Sequence, residues 1–330
     1  MNVGLMALIT LSFGLAIALT GWIQHRFKTQ LLDLPNDRSS HSQPTPRGGG
    51  LGFLIAFTLT STAHWGISQY TTPPNLTPHP GYTSLVLLPL AIVGFIDDRS
   101  NVPAPIRYLI QLSAAGIAII SFGLPPIPAL ATPLTLLLTL IGFTALINFY
   151  NFMDGIDGLV ASVTALQLTF LALYLQQPLW WLLIAALLGF LYWNWSPAKI
   201  FMGDVGSTVL GASIAIALLN SPQPSQLWTA LPILLPLIGD AIYTLTRRLL
   251  RRENIFQAHR THLYQRLQQA GWSHGQVTLT YLLLTGIIAL LLPTLGLLGS
   301  GLSLGLTLSA IALGELYLHT QNRPTPSSSS

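Results

Sequence analysis

Apolar runs of bilayer-crossing length recur along the chain at 3–23, 51–69, 83–96, 106–123, 132–149, 158–176, 179–194, 207–220, 228–246, 277–296 and 299–319. A helix needs about 20 apolar residues to traverse the hydrocarbon layer. Leu, Ile, Ala and Val follow one another here without alternation of apolar and polar positions, which argues against the strands of a membrane barrel. The pattern predicts an all-α polytopic membrane protein of about eleven transmembrane helices. Two runs are short for a straight crossing. The one at 83–96 reaches full length only if its helix continues through Asp97 and Asp98.

The connections between runs fall into two alternating sets. One set (24–50, 97–105, 150–157, 195–206, 247–276 and the tail from Thr320) is rich in charge, Gly and Asn. The other (70–82, 124–131, 177–178, 221–227 and 297–298) holds no Lys, Arg, Asp or Glu. All 14 Lys and Arg lie on the side of the first set. The positive-inside bias assigns that side to the cytosol, with the N-terminus outside and the C-terminus cytosolic. The run from Val3 to Ile23 lacks a basic leader and a cleavage pattern, and it is expected to be a retained helix.

Composition agrees with this class. The 330 residues are 51% hydrophobic and 7% charged, whereas charged residues approach about a quarter of a soluble domain. The net charge of +4 follows from the positive-inside bias, so membrane lipids are expected as partners and nucleic acid is not. No cysteine is present, which excludes disulfides and thiolate metal sites. The expectation is one transmembrane domain over 1–320, with 321–330 a disordered tail because Pro324–Ser330 is of low complexity.

The charged connections carry the candidate chemistry. In the first, Arg38 and Arg47 are multi-donor cations suited to phosphate, ahead of Gly48–Gly50. A Pro/Gly-rich connector with ordinary positive-inside charge reads equally well. Asp97-Asp98 is a carboxylate pair at a membrane boundary, the kind that serves a cation or a proton when it is not simply solvated. Asn148, Asn151, Asp154 and Asp157 recur every three residues and would line one stripe of a helix. Gly203-Asp204-Val-Gly206-Ser207 precedes an apolar run; Ser207 is a plausible N-cap there, and the helix start opens amides to an anion. Asp204 would repel phosphate unless a divalent cation lay between them, as Mg²⁺ does. Lys199 is either a phosphate contact or a snorkelling boundary residue. Asp240 is set about two turns inside its run, a functional position by default unless a neighbouring polar helix pairs with it. His259-Arg260-Thr-His262 has no further ligand for a zinc site, and its arginines favour an anion.

Taken together, Pro35-Asn-Asp-Arg38-Ser, Pro44-Thr-Pro-Arg47-Gly-Gly, Asp97-Asp98, Asn148-x-x-Asn151-x-x-Asp154-Gly-Ile-Asp157-Gly, Phe201-Met-Gly-Asp204-x-Gly-Ser207 and His259-x-x-His262 resemble the polyprenyl-phosphate N-acetylhexosamine-1-phosphate transferase family, glycosyltransferase family 4. The resemblance covers essentially the whole chain. It implies that a UDP-N-acetylhexosamine gives its sugar-1-phosphate to undecaprenyl or another polyprenyl phosphate, releasing UMP. It also implies Mg²⁺ (with Mn²⁺ as an alternative), a bacterial-type inner membrane with the site at the cytosolic face, and a homodimer as an option.

By this resemblance Asp204 corresponds to the principal metal ligand, joined by Asp98 and Asp154. Asp97, Asp98, Asp154, Asp157, His259 and His262 fall to catalysis. Asn148, Asn151, Arg38, Arg47, Lys199, Ser207 and Arg260 fall to substrate binding. The histidine tract departs from the muramoyl-pentapeptide branch and is similar to the subgroup that initiates O-antigen. The rival class is a secondary transporter, which would place its ionisable groups near the midplane.

Overall fold

The computed structural model describes residues 3–35, 43–71, 79–125, 127, 130–254, 257 and 259–321, with the backbone alone for 68–71. Arg38 and the tail from 322 lie outside the described residues. In chain order the elements are α1 (Val3–Phe27), β1 (Leu32–Asp33), β2 (Thr45–Pro46), α2 (Gly50–Thr71), α3 (Pro80–Ser100), α4 (Ala104–Phe122), α5 (Thr132–Met153), α6 (Leu159–Tyr174) and α7 (Trp180–Asn194). There follow α8 (Asp204–Leu219), α9 (Pro224–Ala230), a 3₁₀ turn (Leu231–Leu234), α10 (Leu235–Leu250), α11 (Leu263–Gln269) and α12 (His274–Gln321). The molecule is an all-α, multi-pass membrane protein. Six of its described helical segments are long and apolar enough to cross a bilayer, and α6, α7 and α8 are shorter apolar helices.

Local chemistry accounts for most boundaries. Proline stands in the first turn of α3, α4, α5 and α9, where its missing N–H would have been unpaired anyway. α3 does continue through Asp97 and Asp98 to Ser100, ending where Asn101 turns left-handed at φ 44°. The segment holding the apolar run at 228–246 keeps helical backbone at its junctions, but Pro232 and Pro236 withhold N–H groups, and a 3₁₀ turn stands between α9 and α10.

The two last predicted runs fall within α12. Its 48 residues would reach about 72 Å as a straight helix, more than twice a hydrocarbon layer of about 30 Å. The chain folds back instead at Gly296, whose φ of 54° and ψ of −126° are non-helical. Gly299 meets the Leu291 carbonyl across this turn. The arms return to one end, where the Trp272 and Tyr317 rings lie 5.7 Å apart.

α8 is the central helix. All fifteen residues from Val205 to Leu219 are buried, against α2, α3, α5 and α6. Helices in lipid associate through close packing of small residues rather than through exclusion of water, and two glycines make this approach. A Cβ on Gly94 of α3 would sit 2.6 Å from the Val205 nitrogen, and one on Gly211 of α8 would sit 2.8 Å from the Ile147 Cα of α5. The short β1–β2 ladder pairs Leu32 with Pro46 and Asp33 with Thr45. It is stitched to the segment before α8 by bonds from Phe201 N to Pro46 O (2.8 Å), Gly49 N to Phe201 O (2.9 Å) and Gly50 N to Met202 O (2.9 Å).

Gly94→Ala tests this packing. The added methyl has no space, so unfolding in detergent should be easier by about 1–3 kcal/mol. An unchanged melting temperature would show that α3 and α8 are not so closely apposed.

Candidate active site

The end of α3 and the start of α8 build the centre. α8 begins at Asp204, and its N-cap is Gly203, not Ser207 as the motif suggested. Gly203 has φ 75°, and the space its side chain would fill is taken by the Asp98 carboxylate. Asp98 accepts from the amides of Asp204 (3.0 Å) and Val205 (3.4 Å). The cap of α8 therefore comes from another helix, which frees Ser207. Ser207 lies within the first turn, fully buried, and meets the Asn151 amide at 3.1 Å.

Asp97 faces the other way. It accepts from Arg107 (2.7 Å) and from the Val102 amide (2.6 Å). Arg107 also reaches 3.8 Å from Asp204, so one guanidinium bridges two carboxylates that are far apart in sequence.

The stripe predicted for Asn148, Asn151, Asp154 and Asp157 holds for its first two members. Both lie on α5. Asn151 donates to the Asp204 carboxylate at 2.9 Å, and Asn148 exchanges amide hydrogen bonds with Gln111 of α4 at 2.7 and 3.4 Å. The helix ends at Met153, and Asp154 leaves it with ψ 50°. Burial, then the charges of Asp204 and Asp98, push the Asp154 carboxyl up to about 8. Asp157 is turned away from this centre. It pairs with His274 at 3.1 Å and accepts from the Ala198 amide at 3.1 Å. Burial alone would raise its carboxyl, but His274 holds it below the usual range. Here Asp157 joins three segments and lines no part of the chamber described next.

A chamber of about 320 Å³ opens beside these groups, its wall including Asp97, Arg107, Asn148, Asn151, Asp204, His259 and His262. The two histidine rings are 4.9 Å apart. Burial, then the charges of His262, Arg248 and Arg247, push His259 down to about 4, so it is neutral near pH 7. Tyr108, Asn148 and Phe152 line this chamber and also an apolar groove of about 450 Å³ between α4, α5 and α10.

Other candidates stand apart from the chamber. Lys199 is exposed and lies over the Tyr192 and Trp193 rings at 5.6 and 5.3 Å, the snorkelling alternative. Arg260 reaches Gln268 on α11 at 3.4 Å. Arg47 pairs with Asp33 at 2.7 Å, and its charge is felt at Asp98 and Asp204. Arg107 and Gln111 are the residues that motif reading misses. Arg107 stands at the start of an apolar run, where any cation reads as boundary charge. Only the left-handed turn at Asn101, which sends α4 back beside α3, brings it to Asp97.

The donor set fits a hard divalent cation. Asp97 and Asp204 share the Arg107 guanidinium, and Asp98 lies against the Asp204 amide. The Asp154 carboxyl is raised first by burial and then by the charges of Asp204 and Asp98, with Arg47 as a further nearby cation. Among the described residues no three acidic or imidazole groups form a finished ion cage. Mg²⁺ does not need one, since it binds through one or two carboxylates plus water and phosphate oxygens.

Comparison with known proteins agrees with this geometry. The sequence model of glycosyl transferase family 4 matches residues 81–221, which run from α3 through α8. A probable undecaprenyl-phosphate N-acetylglucosaminyl 1-phosphate transferase of Bacillus subtilis is 32% identical across 80% of this chain and 76% of its own length. A decaprenyl-phosphate N-acetylglucosaminephosphotransferase of Mycobacterium leprae is 30% identical, across 87% and 81%. An undecaprenyl-phosphate alpha-N-acetylglucosaminyl 1-phosphate transferase of Escherichia coli K12 is 29% identical, across 82% and 77%. These names do not single out the O-antigen subgroup. With an extended match at this identity and a carboxylate centre inside the matched segment, the chain belongs to glycosyl transferase family 4.

Proposed function

We propose that this protein transfers an N-acetylhexosamine-1-phosphate from a UDP-sugar to a polyprenyl phosphate, releasing UMP and starting an envelope polysaccharide. One observation carries the reading. A polar chamber lined by Asp97, Arg107, Asn151 and Asp204 meets an apolar groove at Tyr108, Asn148 and Phe152. An acceptor with an anionic head and a hydrocarbon tail needs this junction. The N-acetylglucosamine named for the relatives makes UDP-N-acetylglucosamine the first donor to test.

The chemistry is mostly positioning and charge neutralisation. A phosphomonoester has its second pKa at about 6, so the acceptor is largely dianionic near neutral pH and needs no strong base. An acceptor phosphate oxygen attacks the sugar-bearing phosphorus. The bond from that phosphorus to the bridging oxygen breaks, and UMP leaves with the electron pair. Arg107, presented by Asp97, holds the acceptor phosphate in line. His259 and His262 bind diphosphate oxygens opposite. Asp204, with Asp97 and Asp154 nearby, would hold Mg²⁺, which when bound offsets negative charge on the diphosphate. Asp98 serves by setting the first turn of α8, and Asp157 by bracing the Asp154 loop against α12.

Two substitutions test this assignment with labelled UDP-N-acetylhexosamine and undecaprenyl phosphate. Asp204→Asn keeps size and removes charge, and turnover should fall on the order of a thousandfold, equivalent to about 4 kcal/mol. Arg107→Gln removes a charged donor, and kcat/KM for the acceptor should drop about ten- to a hundredfold. Near-normal rates in either variant would remove that residue from the chemistry.

The site is proposed to face the cytosol, where UDP-sugars are made. The chain has no native cysteine, so single replacements report cleanly. Ser225→Cys, between α8 and the 3₁₀ turn, should label from outside intact cells with an impermeant maleimide, and Ser273→Cys at the start of α12 should not. The reverse pattern would invert the protein and the reading with it.

A further inference from the structure

Asp240 is a carboxylate well inside an apolar run that the proposed chemistry leaves unused. It is 1% exposed, and burying a charge there demands full compensation. The structure supplies it from three elements. One oxygen accepts from the Leu263 amide at 2.8 Å and the Thr244 hydroxyl at 3.0 Å. The other accepts from the Tyr264 amide at 3.0 Å and the Tyr281 hydroxyl at 2.7 Å. An ionised carboxylate offers about four acceptor sites, so Asp240 has little left with which to carry an ion across the bilayer.

What it holds is informative. Leu263 and Tyr264 are the first residues of α11, and His262 is the N-cap position. A helix start leaves amides unpaired and favours an anion beside them. Here the anion reaches over from α10. The His262 imidazole is buried, lines the chamber, and has its Nδ1 3.7 Å from the Asp240 carboxylate. Two further ties hold the same stretch. Arg247 donates to the Thr261 carbonyl at 2.6 Å, and the Tyr264 hydroxyl donates to the Phe152 carbonyl at 3.0 Å, next to the Asp154 turn.

We propose that Asp240 is a positioning residue: capping α11 from the neighbouring α10, it fixes His262 in the chamber wall. The kinetic consequence rests on the transferase reading above; the structural consequence does not.

Two measurements on the full-length protein in detergent test the proposal. In Asp240→Asn, an amide –NH₂ replaces an acceptor oxygen, so an amide at the start of α11 loses its partner. Hydrogen exchange of peptides covering 261–266 should accelerate about tenfold or more, with α3 and α8 unchanged. Exchange at the wild-type rate would overturn the cap, whatever reaction the protein performs. In the transfer assay, Asp240→Asn should lower kcat about tenfold. The loss should vanish once His262 is already Ala, the double variant staying within about twofold of His262→Ala. Losses that multiply instead would mean Asp240 supports the fold at large and does not act through His262. Tyr281→Phe removes one donor and keeps the carboxylate, so it should repeat both patterns at about two- to fivefold even if Asp240→Asn does not fold. Wild-type protein without turnover would end the transferase reading and leave the exchange result to judge the cap.

Discussion

The site depends on the contact between the Asp98 carboxylate and the first amides of α8. A helix beginning inside a packed membrane protein has unpaired N–H groups that water cannot reach, and each is costly. α8 has no capping side chain of its own because Gly203 stands at its N-cap. Asp98 fills that place from α3. The cap thus welds two helices and sets the direction in which Asp204 leaves the first turn. Its neighbour Asp97 is then forced to the opposite side, toward Arg107. A pair that reads in sequence as two equivalent carboxylates divides into one that organises backbone and one that faces the chamber.

Much of the architecture was legible because lipid imposes it. Long apolar runs and one-sided charge leave few alternatives to a helical multi-pass chain, and the glycine–asparagine–aspartate segments between them are poor boundary material unless they do chemistry. The convergence of Asp97, Asn151 and Asp204 follows from motifs in the charged set of connections, at the C-terminal ends of α3 and α5 and the start of α8. Spacing fails where the backbone departs from the helix it assumes. Asp157 shares the three-residue spacing of Asn148 and Asn151, but the chain has already turned at Asp154, and His274 claims its carboxylate. Lys199 reads in sequence either as a phosphate contact or as a snorkelling boundary residue, and in the fold it lies over the Tyr192 and Trp193 rings. Arg107 and Gln111 carry no local signal, since their placement is a property of how α4 folds back onto α3 and α5.

The matched family segment, 81–221, contains the carboxylate centre but neither histidine. The C-terminal third must therefore be brought to the centre by contacts that cross the boundary of that segment. Among them are His274 to Asp157, the Thr278 hydroxyl to the Asp157 carbonyl at 3.1 Å, and Tyr264 to Phe152. These end at the last turn of α5 or on the α5–α6 connection, within a few residues of Asp154. Gly155 allows this, because a side chain there would occupy the position of the Tyr264 hydroxyl. The Gly-Ile-Asp-Gly stretch after Asp154 is thus a docking surface as well as a turn.

The same physics that caps α8 recurs at α11. In both cases a helix starts beside the chamber, its free amides are met by an aspartate from a different helix, and the residue at the junction faces the polar space. Neither aspartate need touch a substrate to matter. Each converts a positional requirement into a buried charge with compulsory partners, and a displaced partner leaves that charge uncompensated. Side-chain positions in the chamber are consequently set by contacts behind the wall. The wall can then stay sparse, with Arg107 as its cation and room for two anionic substrates to supply the remaining charge themselves.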